Sequence, residues 1–156
     1  MFCTIRRFAA VTLAAAAALS DARPFEWDDI TPSPDLEYHD CFDTFKCARL
    51  ELPLDWLAAD NGTDDGRTVA IAVIKLPAVV PTNHSTYGGP IFFNPGGPGG
   101  SGVDSQLGIG PYIQSRVDKP NVRHYDIVSF DPRGVGYSTP NVDCPFHSPV
   151  PWTCWT

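Results

Sequence analysis

The chain has 156 residues, 43% of them hydrophobic and 19% charged, a balance that fits one ordinary globular domain rather than a disordered or fibrous chain. Its net charge of −7, with acidic residues clustered in 21–43 and 60–65, argues against nucleic acid or an anionic membrane surface as partner. The acidic clusters read as solvated surface.

In chain order, Arg6 and Arg7 precede an alanine-dominated apolar run from Phe8 to Leu19. Small residues follow, and residues 1–20 read as a secretory signal cleaved after Ser20 or Ala22. The run is about a dozen residues, short of the roughly 20 that a spanning helix needs. The expectation is a secreted, extracellular protein. Removing residues 1–20 deletes two arginines and no acid, so the net charge goes from −7 to −9.

Export fixes the reading of the cysteines. Cys3 leaves with the signal, and Cys41, Cys47, Cys144 and Cys154 remain. An even number in an oxidising compartment favours disulfides. Four cysteines allow three pairings, and the close spacings favour Cys41–Cys47 and Cys144–Cys154. Neither Cys41-x5-Cys47 nor the scattered His39, His84, His124 and His147 supplies the paired ligands of a zinc site, so no metal and no cofactor is expected. Each histidine reads as surface or packing. Asn61-Gly-Thr63 and Asn83-His-Ser85 are N-glycosylation sequons on expected loops.

Residues 23–38, rich in Pro, Asp and Glu and without periodicity, read as an extended arm. Cys47 to Leu54 alternates and predicts a strand that Pro53 closes. Turn chemistry follows from Asp60 to Gly66, with Asn-Gly and Asp-Gly pairs. Thr68 to Leu76 carries Val69, Ile71 and Val73 on one face and Ala70, Ala72 and Ile74 on the other, which predicts a strand buried in the middle of a sheet. The two strands are expected to pair antiparallel. A loop from Pro77 to Gly89 leads to a strand at Ile91–Phe93. Val103 to Val117 predicts a helix broken at Gly108, Gly110 and Pro111, its better half starting at Pro111. Tyr125 to Asp131 is a further buried strand, ending in the turn Pro132-Arg-Gly-Val-Gly136. Strand, strand, strand, helix, strand gives an α/β layered fold whose later strands are parallel through a crossover.

Between Phe93 and Val103 lies Asn94-Pro-Gly-Gly-Pro-Gly-Gly-Ser-Gly102. So many glycines leave backbone N–H groups bare and let the chain approach a ligand closely. Such a loop suits a phosphate or the oxyanion of acyl transfer. Gly97 to Gly102 matches G-x-G-x-x-G formally, but Pro95 and Pro98 each remove a donor. Two strands precede the loop, whereas a dinucleotide fold places it after its first. No Lys-Ser/Thr follows the glycines, which excludes the other phosphate loop.

The glycine loop together with Asp131-Pro-Arg-Gly-Val-Gly-Tyr-Ser138 resembles secreted α/β-hydrolases of the tripeptidyl aminopeptidase and prolyl iminopeptidase group. Their motifs are His-Gly-Gly-Pro-Gly or Asn-Pro-Gly-Gly-Pro-Gly, then Asp-x-Arg-Gly-x-Gly-x-Ser. Cys41-Phe-Asp-Thr-Phe-Lys-Cys47 and Pro53-Leu-Asp-Trp56 are similar to the aminopeptidase branch, so the resemblance covers about residues 38 to 144. It implies that Gly97 lends its N–H to a tetrahedral oxyanion, with Gly96, Pro98 and Gly99 shaping the loop. It implies that Asp131 and Arg133 are a pair fixing the turn beside the site, with Gly134 and Gly136 completing it. The substrate implied for a full-length form is a peptide or small acyl compound, with short N-terminal peptides or amino acids released.

The sequence departs from that group at one decisive point. A nucleophile elbow needs G-x-S-x-G, and no serine here has glycine two before and two after. Ser101 is followed by Val103 at that distance and Ser138 by Pro140. In this fold Ser, Asp or Glu, and His follow in that order beyond the matching region. The expectation is therefore the N-terminal portion of a secreted serine hydrolase, its triad missing. Its organisation is read as a signal over 1–20, an extended N-terminal arm over 21–40, a partial α/β-hydrolase domain with an incomplete sheet over 41–144, and an irregular tail over 145–156. With the nucleophile strand absent, Ile91–Phe93 is expected at an open sheet edge. The rival reading is a small disulfide-stapled secreted binding protein, or an inactive remnant, built on the same front half.

Overall fold

The computed structural model describes residues 24–63 and 65–141. The expected signal, Cys144, Cys154, His147 and the tail lie outside the described residues.

Five strands form one sheet in the order β1-β2-β3-β5-β4. They are β1 (His39–Cys41), β2 (Phe45–Pro53), β3 (Thr68–Leu76), β4 (Tyr87–Phe92) and β5 (His124–Phe130). β2 and β3 pair antiparallel as expected, with Leu50 opposite Ile71 and Ala48 opposite Val73. β3 is apolar on both faces because each is covered by a different cluster. Val69, Ile71 and Val73 pack with Ala48 and Val128, whereas Ala72, Ile74 and Leu76 pack with Cys47, Val103 and Ile127. β5 joins β3 antiparallel, and β4 then joins β5 in parallel with Ile91 opposite Ile127. The crossover between these parallel strands is the helix α2 (Gly102–Val117). β4 is the last strand of the sheet, the position expected for Ile91–Phe93. The mixed sheet is compatible with a partial α/β fold.

Helix α2 corrects one expectation. It is continuous over Gly102–Val117, with Pro111 inside it, rather than broken at Gly108, Gly110 and Pro111. A proline there removes an i→i−4 bond, a cost of about 3 kcal/mol in an unsupported helix. Tertiary anchoring offsets it. Gln106 Nε2 donates to Ile127 O at 2.9 Å, and Gln114 Nε2 donates to Pro77 O at 2.9 Å and Tyr125 O at 3.0 Å. Gly110 leaves the room in which the buried Gln106 amide lies. Two glutamines thus fasten the helix to β5 on either side of the proline.

The segment before the sheet is also more ordered than an extended arm. Trp27–Asp29 forms one 3-10 turn, and Trp27 and Ile30 are buried. Trp27 meets Phe25 edge-on at 5.4 Å and stacks on Tyr137 at 5.5 Å. Cys41 and Cys47 form a disulfide across the β1–β2 hairpin, with Cα atoms 5.8 Å apart. A short helix, α1 (Trp56–Asp60), interrupts the β2–β3 connection; Asp55 caps it, accepting from Leu57 N at 2.9 Å and Ala58 N at 3.2 Å. Among the described residues no helix is long and apolar enough to cross a membrane.

Candidate functional site

The parallel strands β4 and β5 end side by side, and the two sequence motifs follow them directly. In open α/β sheets that end of the strands is where ligands bind. Past β4, Phe93 N donates to Val128 O at 2.8 Å and Ser129 Oγ donates to Phe93 O at 2.7 Å, so the chain stays in line with the sheet up to Asn94. Asn94 Oδ1 then accepts from Gly96 N at 2.9 Å and starts the turn.

The loop closes on itself through backbone that only glycine takes comfortably. Gly96, Gly97 and Gly99 have φ of 81°, 152° and 81°. A Cβ on Gly97 would sit 2.8 Å from Gly99 N and 2.9 Å from Gly100 N. Gly96, Gly97, Pro98 and Gly99 are all exposed. The Gly97 N–H meets no acceptor among the described residues.

Behind the loop, Asp131 is the hub. Its carboxylate is fully buried and takes three donors: Ser101 Oγ at 2.8 Å, Val103 N at 3.0 Å and Tyr137 N at 2.8 Å. The negative charge therefore sits at the N-terminus of α2, where the helix dipole favours it. Its backbone is fixed as well. Asp131 N donates to Ala72 O at 3.0 Å, and Ser138 Oγ donates to Asp131 O at 2.7 Å while accepting from Ala72 N at 3.0 Å. Gly134 and Gly136 take φ of 73° and 53°, and a Cβ on Gly136 would overlap the Asp131 carboxylate. Burial, then the hydrogen bond to Asp104 at 3.1 Å, pushes the Tyr137 phenol above its ordinary pKa.

The expected Asp131–Arg133 pair does not form. Arg133 Nη2 donates to Pro53 O at 2.8 Å and its guanidinium lies 5.7 Å from the Trp56 ring centre. The carboxylate already has three donors, two from the start of α2 and one from Tyr137 in the turn itself, so each residue fixes the turn to a different neighbour. Asp131 ties it to α2, and Arg133 ties it to the end of β2.

Ser101 caps α2, its Oγ accepting from Asp104 N at 3.0 Å while donating to Asp131. Ser138 is buried in the latch just described. Both hydroxyls hold structure. His39 and His84 are exposed, with His84 Nδ1 2.8 Å from Thr86 Oγ1. His124 Nδ1 lies 2.9 Å from Asp118 Oδ2, at the opposite end of β5 from the loop. Among the described residues no cluster of His, Cys, Asp and Glu could hold a metal ion. Asn61 and Asn83 are both exposed.

Sequence reasoning missed the parts of Ser101, Tyr137 and Ser138 in this hub. The signal for Ser101 was present, because Ser101-Gly-Val-Asp104 ahead of an apolar helix has the form of an N-cap. Nothing local marks Ser138, whose partner Ala72 is on β3.

No protein-family model matches the chain. Similar curated proteins are found. Carboxylesterase B of Mycobacterium tuberculosis (strain ATCC 25618 / H37Rv) is 39% identical over 101 residues, 65% of this chain and 17% of that protein. Serine protease Hip1 of the same organism is 36% identical over 98 residues, 63% of this chain and 16% of that protein. Tripeptidyl aminopeptidase of Streptomyces coelicolor (strain ATCC BAA-471 / A3(2) / M145) is 30% identical over 127 residues, 81% of this chain and 21% of that protein. The chain spans about a fifth of the length of the curated relatives it matches. Its similarity is to hydrolases, with a serine protease and a tripeptidyl aminopeptidase among them, and this supports a hydrolase family.

Proposed function

We propose that this chain supplies the oxyanion-binding corner of a secreted serine hydrolase acting on peptide or small acyl substrates. The observation that carries the reading is the Gly97 N–H, exposed and without an acceptor among the described residues, beside the carboxyl ends of two parallel strands. Attack on an acyl carbon puts negative charge on the carbonyl oxygen, and a fixed backbone donor stabilises that charge without reorganising. In such a fold the second donor follows the nucleophile. No G-x-S-x-G occurs in this sequence, and the hydroxyls of Ser101 and Ser138 are committed to Asp131, so the triad belongs to residues outside this chain. The similarity to an esterase, a serine protease and a tripeptidyl aminopeptidase supports acyl transfer, with release of short N-terminal peptides or amino acids as the finer reading. The exposed sequon residues Asn61 and Asn83 support export.

The missing elbow also favours the rival, a catalytically silent binding protein or remnant. Labelling with a fluorophosphonate probe separates the two. The isolated 17.0 kDa chain takes up no label under either reading, and stoichiometric labelling of any serine in it would overturn both. The natural product purified from its source is expected to be several times heavier and to label. In that species Gly97→Ala keeps the N–H but displaces it, because its Cβ would meet Gly99 N at 2.8 Å, so kcat should fall toward the about 100- to 1000-fold of one lost oxyanion donor. A natural product whose deglycosylated polypeptide is no heavier than the 17.0 kDa of this chain and that takes up no label would establish the rival.

A further inference from the structure

One carboxylate remote from the glycine loop is buried without a counter-charge. Asp126, in β5, is 6% exposed, and its oxygens accept from Ala78 N at 2.7 Å and from Tyr87 Oη at 2.8 Å. Both donors are neutral, and no cation pairs with Asp126 among the described residues. Buried charges are ordinarily paired, because neutral donors return only part of the cost of desolvation. Burial, then the nearby Asp126 charge, pushes the Tyr38 phenol above its ordinary pKa, so Tyr38 stands near the carboxylate as a neutral group and not as a counter-ion.

Asp126 lines a cavity of about 360 Å³ beside the loop that runs from β3 to β4, at the end of the parallel strands opposite the glycine loop. That volume is at the low end of the roughly 300–1,000 Å³ of small-molecule sites. The cavity holds a second charge without an opposite partner. Lys75 Nζ lies 3.9 Å from the centre of the Tyr38 ring and pairs with no carboxylate among the described residues. Lys46, opposite Lys75 across β2 and β3, is paired with Asp40. Lys75 sits opposite Val128, so Asp126, two residues from Val128 in β5, is its diagonal neighbour on the same face. Such positions are about 7–8 Å apart, within reach of the two ends of one small ligand. Much of the remaining wall is aliphatic, with Pro77, Val79, Val80 and Pro81.

We propose that this cavity binds the zwitterion of a free α-amino acid with an aliphatic side chain, its ammonium on Asp126 and its carboxylate on Lys75. Each ligand charge then meets a protein charge that has no partner of opposite sign, and the side chain meets Val79 and Val80. Charge-assisted hydrogen bonds of this kind are about twice as strong as neutral ones. A simple anion would leave Asp126 unpaired, and a simple amine would leave Lys75 unpaired. The site is separate from the oxyanion corner and does not depend on it, since the two lie at opposite ends of β5.

The test is calorimetric titration of the full chain with L-leucine at neutral pH. Saturable one-to-one binding is expected, with N-acetyl-L-leucine and L-leucinamide each weaker by about tenfold or more, because each lacks one of the two charges. Lys75→Gln should weaken L-leucine about tenfold and leave L-leucinamide unchanged. Asp126→Asn should weaken L-leucine by a similar factor and leave N-acetyl-L-leucine unchanged. Should Asp126→Asn fail to fold, the half-exposed Lys75 carries the test by itself through its two titrations. In amide NMR spectra L-leucine should shift Ala78 and Thr82 and leave Gly97 in place. Absence of saturable L-leucine binding at millimolar concentration, binding of the N-acetyl or amide compound as tight as that of L-leucine, or shifts centred on Gly97 would each overturn the proposal.

Discussion

Replacing Asp131 with alanine tests whether one carboxylate fastens the candidate site together. The change removes the acceptor for Ser101 Oγ, Val103 N and Tyr137 N. These donors are not equivalent. Val103 is 0% exposed, so its N–H is left without water, at about 1–3 kcal/mol for an orphaned buried donor. Ser101 and Tyr137 are less buried and can turn to solvent, so each loses about 1 kcal/mol of net hydrogen bonding. Removing a buried charge returns part of this, because Asp131 itself no longer needs desolvation. The expected cost is about 3 kcal/mol, a large share of a domain's 5–15 kcal/mol (about 0.1 per residue).

Urea unfolding followed by tryptophan fluorescence reads it. With a slope of about 1.5 kcal/mol per molar, the midpoint should fall by about 2 M. Asp131→Asn keeps one oxygen for Val103 and Ser101 but sets an N–H against Tyr137 N, so it should cost about half as much. A midpoint shift below about 0.5 M for the alanine variant would refute the hub. So would an asparagine variant as damaged as the alanine one, because the argument depends on which donors keep a partner.

Non-reducing peptide mapping should recover Cys41 and Cys47 in one linked peptide, and replacing both with alanine should cost about 2 kcal/mol for so short a loop; free thiols at both positions would count against the bridge. The Tyr87 phenol, pushed up to about 12 first by burial and then by its hydrogen bond to Asp126, gives a second outcome. A folded value above the unfolded 10.0 favours the neutral phenol, so its stabilisation is whole below pH 10.0 and is lost as pH rises toward about 12. Ultraviolet titration should show a late phenolate step that Tyr87→Phe removes, and a titration unchanged by that variant would contradict it.

The strands were legible where burial imposes a period. β3 is apolar on both faces and lies between β2 and β5, and the alternation in β2 reflects its pairing with β3. The helix was legible in place but not in continuity. Gly108, Gly110 and Pro111 argue locally for a break, and the bonds that override them reach Ile127, Tyr125 and Pro77, none of them a neighbour of the helix in sequence. The burial of Trp27 was hidden for the same reason, since it stacks on Tyr137, 110 residues later. α1 carried a readable cap at Asp55, but five residues give too little periodicity to mark a helix.

The candidate site divides along the same line. Glycine content marks the loop from Gly96 to Gly99 without help from the rest of the chain, but what holds the loop in shape is not in the loop. Its entrance is fixed by Ser129 Oγ on Phe93 O and its exit by the Asp131 carboxylate on Ser101 Oγ and Val103 N. Ser129 in β5 and Asp131 just past its end are two residues apart, and together they grip both ends of the glycine loop. Asp131 is held in turn by β3 through Ala72, which also engages Ser138. The position of the Gly97 N–H is therefore set by β5 and its attachment to β3. A change at Asp131 should reach the loop even though Gly97 is untouched, because the carboxylate fixes where the loop must end.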